Sequence, residues 1–326
     1  MPLARSVISV PPDVPVGTEI YRQTISMSPQ IAFSILCGTA GNFATYYRYQ
    51  QLPLPASAVT VPSRSGTIYE TGVPGIGAMF WYSSRGFPVS LTLTDCQNIS
   101  GCNVIHPFAS DFSLFKIGEI EAGTIQASNL PVAIYSMGQS ESNKVDLMEV
   151  SLSGSITVTA ATCQLAEPNK VVLLGEHNVS DFTGKGSATP FKDASIQLIN
   201  CPMFYGNSGG RGSMGTFNGT EFKASNTSIH NSWIVTFMPN TSVVDAANGI
   251  MGIDVGSESA GGVGIQLASS DSDADVLNLA KGYTGSFTSD GSPAVTVPLY
   301  ARYIQTEEVI TPGKANGMLT YMLEYR

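Results

Sequence analysis

The sequence has 326 residues, which leaves room for two domains of roughly 100–200 residues each. Only 13% of the residues are charged while 43% are hydrophobic, which excludes a long charged helix or coiled coil and excludes a disordered chain. A net charge of −9, with 16 Lys and Arg forming no basic run, excludes a nucleic-acid footprint, and no apolar stretch reaches the roughly 18 residues of a membrane helix.

Solubility therefore rests on Ser, Thr, Asn and Gly, and hydroxyls on a solvated face suit extended strands. The 33 Gly and 19 Pro supply turns. In chain order, period-two alternation predicts strands at Val132–Met137, Val150–Ala160, Ala194–Ile199, Ser232–Phe237, Val263–Leu267, Ala294–Ile304 and Met318–Tyr325. In Val150–Ala160 the apolar residues fall on one face and the hydroxyls on the other. Turn clusters at Gly206–Gly215 and Ser289–Ser292 separate these runs, and Ser272–Lys281 is the best short helix candidate. The pattern is all-β, with two β-sandwich domains.

Five cysteines bear on compartment. Cys163 and Cys201 sit in two strand-like segments, and a bridge between them would restrict the unfolded chain by about 4 kcal/mol in the loop-entropy model. Cys37, Cys96 and Cys102 leave three possible pairings. With three His (His106, His177, His230) and no second cysteine pair, no zinc site is completed, and disulfides in an oxidising compartment are the better reading. Met1–Arg5 lacks the apolar core of a signal peptide.

Three short motifs are weak. Gly206-Asn-Ser-Gly-Gly210 is similar to the nucleophile segment of chymotrypsin-like proteases, yet no upstream His stands in a matching context. Gly210–Gly215 fits a dinucleotide glycine pattern with no helix behind it. Asp271–Asp275 imitates the start of a calcium loop but lacks the sixth-position Gly and the twelfth-position Glu. No cofactor, metal or enzymatic activity is expected.

From Glu149 to Arg326 the sequence resembles the pilin domain of chaperone–usher fimbriae. The resemblance is carried by Val150–Val158 leading to Cys163, by Phe191–Pro202 with its Cys201, and by Gly262–Leu267. Pro298–Thr306 and Pro312–Gly317 follow, and the chain ends on Met318–Arg326 with its penultimate Tyr325. A longer middle, roughly Met203–His230, departs from the family and is expected to be a surface insertion. The resemblance implies an incomplete immunoglobulin-like sandwich lacking its last strand, with a hydrophobic groove open to a partner strand. It implies as partners a periplasmic chaperone anchored on Tyr325 and Arg326, an outer-membrane usher, and the donor strand of the next subunit.

The preceding residues, 1–148, resemble the lectin domain of type 1-like fimbrial tip adhesins. The matching stretches are Val10–Ile20, Gly75–Arg85, Phe115–Ile125 and Leu130–Ala133. A domain in that place precludes strand donation, so the resemblance implies an extracellular subunit at the fimbrial tip. It implies an elongated jelly-roll or immunoglobulin-like lectin domain at 1–148 and a pilin domain at 149–326. Cys37 would pair with Cys96 or Cys102, or stand alone if a first strand is trimmed.

A sugar site needs planar polar groups and an apolar surface. Candidates for glycan binding are Asp95, Gln97, Asn98 and Asn103 around the cysteine loop, and Tyr82, Ser83 and Arg85 after a central strand. Gln139–Asn143 forms a third region. Trp81 reads as core, and Tyr46, Tyr47 and Tyr49 could stack a sugar, with at least one turned inward. The expected function is attachment to host glycans or glycoproteins. A host protein such as collagen is the alternative receptor, and a tip adaptor without receptor is the third reading.

Overall fold

A computed structural model describes the chain outside residues 28–31, 94–100, 161, 209–211, 226–229 and 289, and outside the side chain of Cys102. The described residues are β throughout, as expected. Their helical turns are three-residue 3-10 turns at Ala127–Asn129, Val179–Asp181 and Asp273–Asp275. The predicted helix Ser272–Lys281 is thus a single capped turn. Ser272 accepts from the Ala274 amide at 3.2 Å, and Leu277 and Leu279 are then buried on alternate positions, as in a strand.

The chain divides into two compact units. Unit 1 comprises Met1–Ala161 and Phe204–Asn231, and unit 2 comprises Thr162–Met203 and Ser232–Arg326.

Unit 1 is built on a seven-stranded sheet. Its order is β19 (Phe222–Ala224), β18 (Gly215–Phe217), β2 (Glu19–Ser26), β10 (Ala109–Lys116), β6 (Ile76–Tyr82) and β5 (Tyr69–Glu70), with β7 (Arg85–Gly86) on β6. A four-stranded sheet runs β13 (Asn143–Val150), β12 (Val132–Ser140), β4 (Phe43–Gln51), β8 (Val89–Leu93). Smaller sheets join β1 (Val7–Ser9), β14 (Ser155–Thr159) and β11 (Gly123–Gln126), and pair β3 (Phe33–Cys37) with β9 (Cys102–His106).

The two larger sheets bury an aromatic core between them. Tyr47 of β4 is its centre, with ring centroids 5.2 Å from Tyr82, 5.5 Å from Phe87, 5.6 Å from Phe108 and 5.2 Å from Tyr135. Edge and offset contacts of this kind add to the area they bury. A second, smaller cluster on the seven-stranded sheet holds Val61, Ile68, Met79, Trp81, Phe115 and Ile117.

Among the described residues, unit 2 holds three sheets. The first is β15 (Gln164–Leu165), β17 (Ile196–Ile199), β25 (Ala294–Val297). The second is β16 (Lys192–Asp193), β26 (Tyr300–Gln305), β23 (Val263–Ala268), β22 (Ile250–Met251), β21 (Val243–Asp245). The third is β24 (Tyr283–Ser286), β20 (Ser232–Pro239), β27 (Leu319–Tyr325). The alternation seen in the sequence is the burial seen here: Trp233, Val235 and Phe237 of β20 point inward. The expected disulfide is present, with Cys163 and Cys201 bridged at a Cα separation of 4.3 Å beside the Gln164–Ile199 pair of the β15–β17 ladder.

The stretch from Met203 to His230, expected on the surface of the second domain, instead contributes β18 and β19 to unit 1. Phe204 and Met214 are buried, with Met214 in the main core of unit 1. Composition misled here, because Asn207, Ser208 and Ser213 of this stretch are engaged by hydrogen bonds to Ser9, Glu19 and Thr24, far away in the chain.

Candidate functional site

Unit 2 carries a groove with two open sides. The last strand, β27, pairs along its length with β20, from Trp233 opposite Tyr325 to Pro239 opposite Leu319. Among the described residues no ladder joins the other side of β27. Residues 167–178 likewise lie outside any ladder. There Val171 and Leu173 are each 82% exposed, while Val172 is half-buried and Leu174 buried, the alternation of a strand with no neighbour.

Between these sides lies a cavity of about 220 Å³ lined by Val172, Leu174, Ile265, Leu267, Leu319 and Tyr321, among others. The inward residues of β27, Leu319, Tyr321 and Leu323, remain half-buried where those of β20 are fully covered. Apolar area of this kind left in water is unfavourable by roughly 25 cal/mol per Å².

Tyr325 and Arg326, expected to anchor a chaperone, lie at the end of β27. The Tyr325 ring is buried, stacked on Phe287 at 5.7 Å, and its hydroxyl donates to the Cys163 carbonyl at 3.3 Å. The Arg326 backbone exchanges hydrogen bonds with Ser232 at 2.7 and 2.5 Å, and its guanidinium donates to Glu324 at 2.6 Å. These contacts hold β27 in register at its terminus.

In unit 1 the described residues among those expected to bind a sugar lie in two places, Tyr82, Ser83 and Arg85 at the β6–β7 turn and Asn103 on β9. Tyr82 and Arg85 face each other across the β6–β7 turn. Ser83 and Ser84 occupy that turn with φ of 48° and 63°, the left-handed pair that a tight hairpin turn demands. The Tyr82 ring stacks on Tyr47 with planes 16° apart, so its face belongs to the core. Asn103 lies on β9, where its Oδ1 accepts from the Ser34 hydroxyl at 2.5 Å. Asp95, Gln97 and Asn98 lie outside the described residues, as do Cys96 and the side chain of Cys102. Cys37 is buried and stands opposite Cys102 in the β3–β9 ladder.

A cavity of about 250 Å³ opens between β3 and the β12–β13 hairpin. Its floor is Phe43 and Met137, both buried, and its polar side is Thr39, Gln139, Asn143 and Lys144. The Gln139 amide donates to Thr39 Oγ1 at 3.3 Å, and Asn143 Nδ2 donates to Gln139 Oε1 at 3.2 Å. Lys144 pairs with Glu141 at 2.8 Å and lies 5.7 Å from the Tyr46 ring. Gly138 lets the hairpin close, since a Cβ there would stand 2.2 Å from the Asn143 carbonyl oxygen. This is the third region singled out in the sequence, and the cavity depends on β3, which no local motif indicated.

The aromatic and nucleophile candidates are committed elsewhere. Trp81 is buried, with Arg64 at 3.8 Å and Arg22 at 4.6 Å from its ring. Its Nε1 donates to Ser113 Oγ at 2.9 Å, and Ser113 Oγ donates to Glu19 Oε1 at 2.5 Å. Tyr46 and Tyr47 are buried, and the Tyr49 hydroxyl donates to the Phe80 carbonyl at 3.4 Å. Ser208 is fully buried and donates to the Glu19 carbonyl at 3.1 Å, so it is no exposed nucleophile. Asp273 pairs with Arg302 at 2.6 Å, and Asp275 accepts from Ser270 at 2.7 Å, which accounts for that acidic run.

Comparison with known proteins gives a consistent set of likenesses. The family model described as "Fimbrial protein" matches residues 150–326, more than half of the chain. Over its whole length the chain is 26% identical to a "Fimbria adhesin protein" of Klebsiella pneumoniae, covering 90% of that protein. Among solved structures it resembles the CupB6 tip adhesin from Pseudomonas aeruginosa, at 13% identity and a TM-score of 0.40 over 98% of this chain and 90% of that one. It also resembles the receptor binding domain of the plasmid-born adhesin MrkD1P of Klebsiella pneumoniae, at 22% identity and a TM-score of 0.35 over 50% of this chain and 91% of that one.

Proposed function

Because the chain belongs to the fimbrial protein family, we propose that it is a tip adhesin of chaperone–usher fimbriae, with unit 2 as its anchor and unit 1 as its receptor-binding part. The observation that carries this reading is the groove of unit 2, an apolar cavity between β27 and residues 167–174, neither of which has a ladder partner on that side among the described residues.

A partner strand of alternating apolar residues would satisfy the open backbone groups of β27 and drop its side chains among Leu174, Leu267, Leu319 and Tyr321. In this reading a periplasmic chaperone fills the groove first, the usher receives the complex, and the next subunit's donor strand replaces the chaperone. Thermal unfolding of the full chain with and without a synthetic alternating-apolar strand tests it. The melting temperature rises with the peptide and β27 amides become protected from exchange. An unassisted monomer that unfolds reversibly, and does not respond to the peptide, overturns it.

For the receptor we infer a glycan. The amides of Gln139 and Asn143 and the Thr39 hydroxyl stand over the apolar floor of the cavity, and planar amides pair with the adjacent hydroxyls of a sugar. One observation favours a protein receptor instead. Leu36 of β3 and Ile105 of β9 are 75% and 58% exposed on the outer face of that pair, where a sugar would gain little from them. Glycan arrays and immobilised matrix proteins, probed with the full chain and with Gln139→Ala/Asn143→Ala, separate the two. Glycan binding lost in the double variant supports the first reading. Binding only to matrix protein, sensitive to Leu36→Ser/Ile105→Ser, overturns it for the second.

A further inference from the structure

The residues between β17 and β20 leave unit 2, run along unit 1 and return. Three junctions therefore connect the units in the chain, at 161–162, 203–204 and 231–232. The excursion follows one strand edge. The Ser208 amide donates to the Ile20 carbonyl at 3.0 Å and the Met214 amide to Arg22 at 2.7 Å. The Thr24 amide donates to Ser213 Oγ at 3.0 Å, and β18 then pairs in parallel with β2, Thr216 with Thr24 and Phe217 with Ile25. On its other side β2 pairs with β10. Without the excursion, β2 would be an open edge of the seven-stranded sheet.

The two ends of the excursion are clipped together. The Gly206 amide donates to Asn231 Oδ1 at 3.0 Å, and Asn207 Nδ2 and Asn231 Nδ2 both donate to the Ser9 carbonyl, at 3.2 and 3.1 Å. The Tyr205 amide donates to Ser9 Oγ at 2.9 Å, and the Ser9 amide to the Gly206 carbonyl at 3.1 Å. Asn207, Ser208 and Asn231 are all buried, so these bonds lie in a setting where an unmade one would be costly. Met214 adds an apolar anchor that is 1% exposed.

We propose that the described residues of 204–231 are a strand donor in cis, occupying the β2 edge so that unit 1 is complete only once this later part of the chain is in place. The inference goes beyond the adhesin reading and does not depend on it. A segment that filled space as a loop would not need a ladder, a buried methionine and a clip at its base. Its removal would expose the β2 backbone and open the core around Met214, and the same exposed edge would invite association between copies.

The test uses the full chain with a site-specific protease sequence inserted after Ala160. After cleavage, fragment 1–160 and the remainder are expected to co-elute in native buffer and to part only in denaturant. The same cut in a chain whose residues 206–230 are replaced by a Gly/Ser linker is expected to release fragment 1–160, alone or as aggregate. Native separation of the first pair, or continued co-elution of the second, overturns the proposal. A milder variant guards against wholesale misfolding. In Gly215→Val a Cβ would stand 2.2 Å from the Phe222 ring. Amide exchange in β2 is expected to speed up by about tenfold or more, with β20 and β27 unchanged. Unaltered β2 protection in this variant also overturns the proposal.

Discussion

The edge of β2 in unit 1 and the edge of β27 in unit 2 pose the same physical problem. Each borders an apolar interior and presents backbone groups that need partners. At β2 the chain supplies the partner itself, through β18 and the clip at Ser9. At β27 it supplies none among the described residues, and Leu319, Tyr321 and Leu323 stay half-buried. The difference lies in covalent supply: a strand held in the same chain makes a fixed unit, whereas an edge left open makes a joint that a second chain can close.

The largest expected effect tests how closed unit 1 is. Phe108 is fully buried, stacked on Tyr135 at 5.2 Å with edges to Tyr47 and Phe33. Phe108→Ala should cost about 3–5 kcal/mol, read as a shifted denaturant midpoint. A cost below about 1 kcal/mol would mean that this core is loosely packed and that the contrast with unit 2 is overstated.

The next prediction concerns the open edge and depends on its state. Leu319→Ala removes a half-buried side chain at the groove. The loss should be about 1 kcal/mol in the free chain and about 2–4 kcal/mol once a strand peptide covers the site. Equal losses with and without peptide would show that the groove is not where the strand lies.

A smaller effect probes the closed edge directly. Ser208→Ala deletes the hydroxyl that donates to the Glu19 carbonyl, and should cost about 1 kcal/mol without altering any hydrolytic activity. Loss of an esterase or protease activity in this variant would restore the nucleophile reading that burial of Ser208 excludes.

These sites also show what a sequence can display. Strands β20 and β27 of unit 2 were legible because one face of each is turned inward and the other outward, and period two survives in Ser232–Phe237 and Met318–Tyr325. The bridge between Cys163 and Cys201 and the core placement of Trp81 were legible for similar local reasons. The role of residues 204–231 was not. Asn207, Ser208 and Asn231 are polar yet buried, because their partners Ser9 and Glu19 lie about 190–220 positions away in the chain. The available signal was Phe204, Met214 and Phe217, apolar residues in a stretch otherwise built like a turn. The cavity at Gln139 and Asn143 was half legible, since its hairpin is local but its other wall, β3, is brought there by the fold.

The smallest predicted effect lies under the same closed edge and appears only as a dependence on pH. Burial holds the Glu19 carboxyl above its ordinary value of 4.5, outweighing the hydrogen bond from Ser113 and the nearby charges of Arg64 and Arg22. The folded protein therefore keeps a proton that the unfolded chain has released. The contribution of this group to stability falls as pH rises from the ordinary Glu value through the raised one, and is regained on acidification. Glu19→Gln keeps an acceptor for Ser113 but carries no charge, so it removes this slope. The stability of the variant relative to the parent should accordingly increase from pH 4.5 toward neutrality, measured as the difference between their denaturant midpoints. Parallel curves would mean that the Glu19 carboxyl titrates in the folded protein as it does in the unfolded chain. The hydrogen bond from Ser113 and the ion pair with Arg64, 3.7 Å away, would then offset burial in full, whereas a relative stability of the variant that falls with rising pH would mean that they outweigh it.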